Sequence, residues 1–178
     1  MVFKSSKGFT LIEVVVVIVI LSIVSAITIK FLTDSLRIYT MTVNQKTLFD
    51  EGKLALERMC RDIRDARSIT GTTATSVTFV RNNATVQDIA GETIIFQRNA
   101  GASTLEKVKV SPVVTITMAA NVSAFAVTYA TNEIQLQLTL QLTSGENVTL
   151  QTKVYPKNLV GSTTYKNFKQ NWLEDRSL

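Results

Sequence analysis

The sequence predicts an α+β fold: one long N-terminal helix, membrane-spanning in its first half and amphipathic in its second, packed on a C-terminal antiparallel β-sheet domain. Three observations predict it. An unbroken apolar run fills residues 9–29, apolar residues recur at helical spacing from Leu32 to Ala66, and from residue 76 apolar and polar residues alternate with a period of two. A chain of 178 residues is long enough for one domain with a real core.

The apolar run, FTLIEVVVVIVILSIVSAITI, has one charge, Glu13, and neither Gly nor Pro. As a helix its 21 residues span about 32 Å, close to the roughly 30 Å of a bilayer's hydrocarbon core. Val and Ile favour strands, but only a helix satisfies every backbone group within one spanning segment. Lys4 and Lys7 precede the run, which keeps that end cytoplasmic and places the remainder outside. A discarded signal peptide competes with this reading, and Ser25-Ala26 resembles its cleavage site. The run, however, exceeds the usual signal core of roughly 7–15 residues. A plain single-pass anchor also competes. It leaves Glu13 unexplained, because an acidic residue inside a membrane helix costs about 2.5–3.5 kcal/mol and the segment holds no partner for it.

Lys7-Gly8-Phe9-Thr10-Leu11-Ile12-Glu13, followed by the apolar run, resembles the leader junction of type IV pilins and type II secretion pseudopilins. The resemblance implies a leader of residues 1–8, cleavage after Gly8 by a prepilin peptidase and N-methylation of Phe9. It also implies a partner for Glu13. The family's glutamate at this position pairs with the N-terminal amine of a neighbouring subunit during assembly, and two charges too costly to bury singly are buried together. Cleavage would create that amine on Phe9, cationic below about pH 8. Many members interrupt the apolar helix with a proline and nearby glycines. This chain has Ile29 and Lys30 in that region and its first proline at Pro112, so the helix is expected to run unbroken.

Residues 30–67 hold eight basic and six acidic side chains, no Pro and only Gly52. Leu32, Leu36, Tyr39 and Val43, then Phe49, Gly52, Leu56, Met59, Ile63 and Ala66, form an apolar stripe on an amphipathic helix. Glu57–Arg61, Arg58–Asp62 and Arg61–Asp65 are spaced as ion pairs on its wet side. Thr70-Gly71 reads as the stop. Together with the apolar run this makes a helix of nearly sixty residues, roughly 87 Å long. Residues 49–66 are expected to cover the chain's own sheet. Residues 32–43 suit that role and a subunit–subunit seam about equally. Cys60 flanks the stripe and reads as a small buried thiol, since no base for a nucleophile is evident.

The β-rich domain is expected over residues 70–160. Ile134 to Thr143 alternates most clearly, with strands around Phe125–Tyr129 before it and Val148–Val154 after it, an antiparallel meander. Weaker strands are expected at 76–81, 93–97, 105–110 and 113–118. Lys107 and Lys109, alternating with Val108 and Val110, suggest an edge strand protected by charge. The segment Thr152-Lys153-Val154-Tyr155-Pro156-Lys157-Asn158 is similar to the last strand of J-type minor subunits, with Lys157 where Arg is usual. Residues 161–178 form a polar tail in which Tyr165, Phe168 and Trp172 stand at helical spacing, expected to pack back on the domain.

Composition narrows the function. Without histidine the commonest general base and nitrogen ligand are missing, and no activated nucleophile or Gly-rich phosphate loop is evident. No enzyme, cofactor or metal site is predicted, the acidic residues Asp88, Glu92, Glu106, Glu133 and Glu146 being scattered along the chain. The net charge of +5 falls to +3 without Lys4 and Lys7, and no basic cluster is interleaved with aromatics, so nucleic acid is not predicted as a partner. One cysteine closes no intramolecular disulfide. The family's bulk subunits commonly have such a disulfide or bind calcium, so the resemblance implies a minor subunit. Its expected partners are other pilin or pseudopilin subunits, the prepilin peptidase, the inner-membrane assembly platform and, before assembly, membrane lipid. Its expected location is the inner membrane, single-pass with the C-terminal domain outside, and then a periplasmic or cell-surface filament. A membrane-anchored binding module that never polymerises is the alternative.

Overall fold

The structure, a computed structural model, describes residues 8–159. The expected leader, apart from Gly8, and the tail 161–178 lie outside the described residues. A single helix, α1 (Leu11–Arg64), is followed by eight strands: β1 (Ala66–Thr73), β2 (Ser76–Arg81), β3 (Thr93–Asn99), β4 (Thr104–Val110), β5 (Val113–Ala119), β6 (Val122–Ala130), β7 (Glu133–Gln141) and β8 (Asn147–Val154). The α+β class stands. No Pro or Gly interrupts α1 before Gly52, and the helix runs unbroken as expected.

The chain divides into a unit ending at Val43 and a unit beginning at Asn44. In the first, the apolar side chains of α1 are exposed from Leu11 to Val43. Hydroxyls along it are absorbed locally: Ser22, Thr28, Ser35, Thr40 and Thr42 each donate to the carbonyl four residues earlier. An otherwise apolar surface thus presents few free donors.

The second unit holds the core. Leu48, Gly52, Ala55, Leu56, Met59 and Ile63 form the buried face of α1. Leu48 therefore takes the place that spacing assigned to Phe49, which stays 45% exposed. Strands β1 to β5 form one antiparallel sheet in sequence order, and β6 to β8 form a separate three-stranded sheet. The break comes at Ala120-Asn121, where Asn121 adopts φ +54° and the Ala120 N–H donates to Glu51 Oε1 at 2.6 Å instead of continuing the ladder. The two sheets share one core, which holds Phe79 and Phe96 from the first and Leu136, Leu138 and Leu140 from the second.

The C-terminal meander is β6–β7–β8 as read, with Leu138 opposite Phe125 and Leu150. Two other readings fail. The helix does not extend to Ala66 and Arg67. It ends at Arg64, and residues 66–73 form β1, paired with β2 from Ala66 opposite Arg81 to Thr73 opposite Ser76. Six of those eight residues are Ser, Thr, Ile or Gly, weak helix formers beside a strand that needs a partner. Cross-strand pairing wins over a marginal helical turn. Nor is β4 an edge strand. It lies between β3 and β5, and Lys107 and Lys109 are buried.

Candidate processing and assembly site

Gly8, Phe9 and Thr10 precede the first turn of α1 and are all exposed, Phe9 by 79%. No heavy atom lies within 4 Å of where a Cβ on Gly8 would stand, beyond its chain neighbours. Thr10 caps the helix: its carbonyl accepts from Glu13 N–H at 3.1 Å and Val14 N–H at 3.3 Å, and its Oγ1 accepts from Glu13 N–H at 3.4 Å. Glu13 is thus the third helical residue after a threonine cap, the spacing of a capping box, and sits where the helix dipole favours a carboxylate. Thr10-x-x-Glu13 is legible in the sequence, and its capping meaning was missed behind the question of a charge in lipid. No cation pairs with Glu13 among the described residues.

The structure brings Gly8, Phe9 and Glu13 together on one exposed stretch spanning little more than a helical turn. Behind it stands the one described helix long and apolar enough to cross a membrane, none of whose spanning window is buried. Of the five acidic residues read as scattered, Asp88 and Glu92 join one buried ionic cluster, while Glu106, Glu133 and Glu146 have separate partners. Asp88, 3% exposed, accepts from Arg81 Nη1 at 2.9 Å and Lys107 Nζ at 2.6 Å through Oδ2, while Oδ1 meets Lys109 Nζ at 2.8 Å. Asp62 on α1 receives the same Arg81 and Lys107 at 2.8 and 2.9 Å. Asp65 lies 3.6 Å from Arg81, and Glu92 3.7 Å from Lys109.

Asp62 and Asp65 therefore turn inward, away from the helix-surface partners expected for them. Glu57 pairs with Lys53 at 3.8 Å rather than with Arg61. Buried cations claim carboxylates more strongly than solvated ones do. Burial pushes Asp88 up, but hydrogen bonds from Lys107 and Lys109 outweigh it and hold its carboxyl below the usual range. Its hydrogen bond to Asp88 raises Lys109, against the opposing effect of burial. The arrangement holds α1, the 82–92 loop and β4 together and leaves these carboxylates occupied.

Cys60 is half-buried, its Sγ 3.8 Å from Thr152 Oγ1. Burial raises its pKa, and the lowering effects of Thr152 and Arg64 do not overcome it. The Thr152–Asn158 segment also has a clear task. Pro156 is buried, the Lys157 N–H donates to the Arg64 carbonyl at 2.9 Å, and Asn158 Nδ2 donates to Asp65 Oδ1 at 3.1 Å. One orphan carbonyl at the end of α1 is thereby satisfied. Since Lys157 acts through its backbone, Lys in place of Arg leaves that bond unchanged.

The chain is an α+β protein whose long apolar N-terminal helix is suited to membrane anchoring. Residues 3–29 match the family described as the prokaryotic N-terminal methylation motif. That match supports a pilin- or pseudopilin-type substrate of prepilin peptidase, a class of structural subunits that engage one another and the peptidase. No curated protein and no solved structure matches the chain.

Proposed function

We propose that this chain is a minor pilin or pseudopilin, cut after Gly8 by prepilin peptidase, N-methylated on Phe9 and assembled through α1 into an extracytoplasmic filament. The observation that carries the proposal is the exposed apolar run of α1 up to Ile29, whose single carboxylate, Glu13, lies one turn from the cut. An exposed apolar surface of this length needs lipid before assembly and neighbouring helices afterwards. The exposed Gly8–Phe9 bond, outside the helix, is suited to a peptidase. The new Phe9 amine of an adjacent subunit supplies the cation that Glu13 lacks among the described residues, and Thr10 keeps the first turn wound around it. The lone cysteine and the J-type-like Thr152–Asn158 ending favour a minor subunit over the bulk one.

Intact mass tests the processing. Cells with active prepilin peptidase should yield a chain beginning at Phe9, lighter by about 0.9 kDa at roughly 110 Da per residue, and cells without it the full length. A persistent Met1 in the first case sinks the proposal. Glu13→Ala tests assembly separately: export and cleavage should persist while co-purification with other subunits falls. Normal co-purification of Glu13→Ala would favour the alternative, an anchored binding module that does not polymerise.

A further inference from the structure

A groove of about 530 Å³ lies between α1 and β5. Arg58 and Arg61 line it from the helix, Ile116 and Met118 from the strand, and the fully exposed Val86 from the 82–92 loop. Four cations and two carboxylates face it. Asp62 and Asp88 are each held by both Arg81 and Lys107, which leaves Arg58 and Arg61 as a surplus of positive charge. The carboxylates spaced to pair with them on the helix are engaged elsewhere: Glu57 with Lys53, Asp62 and Asp65 with Arg81. Neither arginine has a hydrogen bond or ion pair among the described residues.

The strand wall is also a sheet edge, since the one strand partner of β5 among the described residues is β4. Such edges are ordinarily protected by charge, proline or a bulge. The opposite edge, β1, has Arg67 and two breaks in register. β5, with the sequence VVTITMA, carries no charge, and its pairing with β4 is regular from Val113 to Thr117. Val114 and Ile116 stand opposite Lys109 and Lys107, so they share the inward face of the sheet. A strand added beyond β5 would extend that face and turn every second side chain toward the groove. The Ala120–Glu51 hydrogen bond already holds α1 against the far end of β5.

We propose that β5 and this groove take an extended acidic segment of a partner protein, added as a sixth strand of the larger sheet, with carboxylates at alternate positions on Arg58 and Arg61. The spacings agree. Two helical residues three apart have Cβ atoms about 5–6 Å from one another, and every second residue of a strand advances about 6.5 Å. Arginine grips a carboxylate through paired N–H donors, so the two charges select the segment. Main-chain pairing along β5 supplies the rest of the affinity. The sequence of this chain has no two carboxylates two residues apart, so the segment belongs to a different protein and not to a second copy. The inference does not depend on processing or filament assembly.

Fluorescence anisotropy of a labelled heptapeptide, Thr-Val-Glu-Val-Glu-Val-Thr, titrated with the full chain in detergent tests the proposal. The peptide should bind saturably with Kd below about 1 mM. Replacing both of its Glu by Gln should weaken binding at least about tenfold, as should the paired variant Arg58→Gln with Arg61→Gln. N-methylation of one alternate set of peptide amides should abolish binding, and methylation of the other set should leave it within about threefold, because only every second amide faces β5. Circular dichroism checks that the arginine variant keeps the fold. Equal binding of the Glu and Gln peptides, equal effects of the two methylation patterns, or no saturation by about 1 mM overturns the proposal. Dimerisation of the full chain in sedimentation velocity that the arginine variant abolishes also overturns it, by assigning the groove to a second copy.

Discussion

Asp88 gathers Arg81, Lys107 and Lys109 around one carboxylate that is almost fully buried. Removing one partner of a buried ionic group costs about 3–5 kcal/mol, because the charges left behind have no water. Asp88→Asn should therefore lower stability by about that much in urea denaturation, and a change below about 0.5 kcal/mol would show the cluster to be solvated. The pH dependence follows from the direction of the shift. Asp88 is held below its ordinary value of 3.8, so its stabilisation is fully present above that value. It is lost as pH falls through the lower folded value. Lys109 is raised above 10.5, so its contribution holds below that pH and is lost as pH rises through the folded value. Acid unfolding should begin below about pH 4, and Asp88→Asn should flatten that acid limb. None of this was legible in the sequence, where Asp62, Asp88 and Lys107 are separated by 19 to 45 positions and carry no common motif. The N-terminal methylation motif was legible because its junction residues, Gly8 to Glu13, are six consecutive positions within the matched segment 3–29.

Gly52 decides how α1 meets the smaller sheet. A Cβ there would stand 2.7 Å from Leu140 Cδ1 and 2.8 Å from Leu150 Cδ1. Leu140 is fully buried and has nowhere to go. Alanine would gain about 1 kcal/mol of helix propensity but lose about 1–3 kcal/mol to overpacking, so Gly52→Ala should be destabilising on balance. A higher urea midpoint for that variant would show that Leu150 yields. The strands divide by how their faces are used. β7 alternates buried Ile134, Leu136, Leu138 and Leu140 with partly or fully exposed polar residues, so its period of two showed in the sequence. On β4 the inward face carries Lys107 and Lys109 opposite Phe96 and Ile94, and the same alternation suggested an edge. A lysine pattern reports which face is shared. Whether that face meets water or carboxylates depends on what lies across from it.

Every residue of the hydrophobic core lies at or after Leu48, and residues up to Val43 form a separate unit. A fragment of residues 44–178 should therefore fold cooperatively in water without detergent, whereas the full chain requires detergent or lipid. A fragment that melts without a sigmoidal transition in circular dichroism would show that the apolar half of α1 supports the core. The sequence by itself determined the α+β class, the unbroken helix with its exposed apolar length, the motif around Gly8 and the terminal meander. Those features are local: a run of apolar residues, a capping spacing and a strict alternation act within a turn or a strand, and each leaves its period in the chain. Only the tertiary structure decided where α1 stops, that the strands form two sheets, and that Asp62 and Asp65 turn inward. Those outcomes rest on partners far along the chain, chosen by pairing and by the cost of leaving a buried charge alone, and no local period records them.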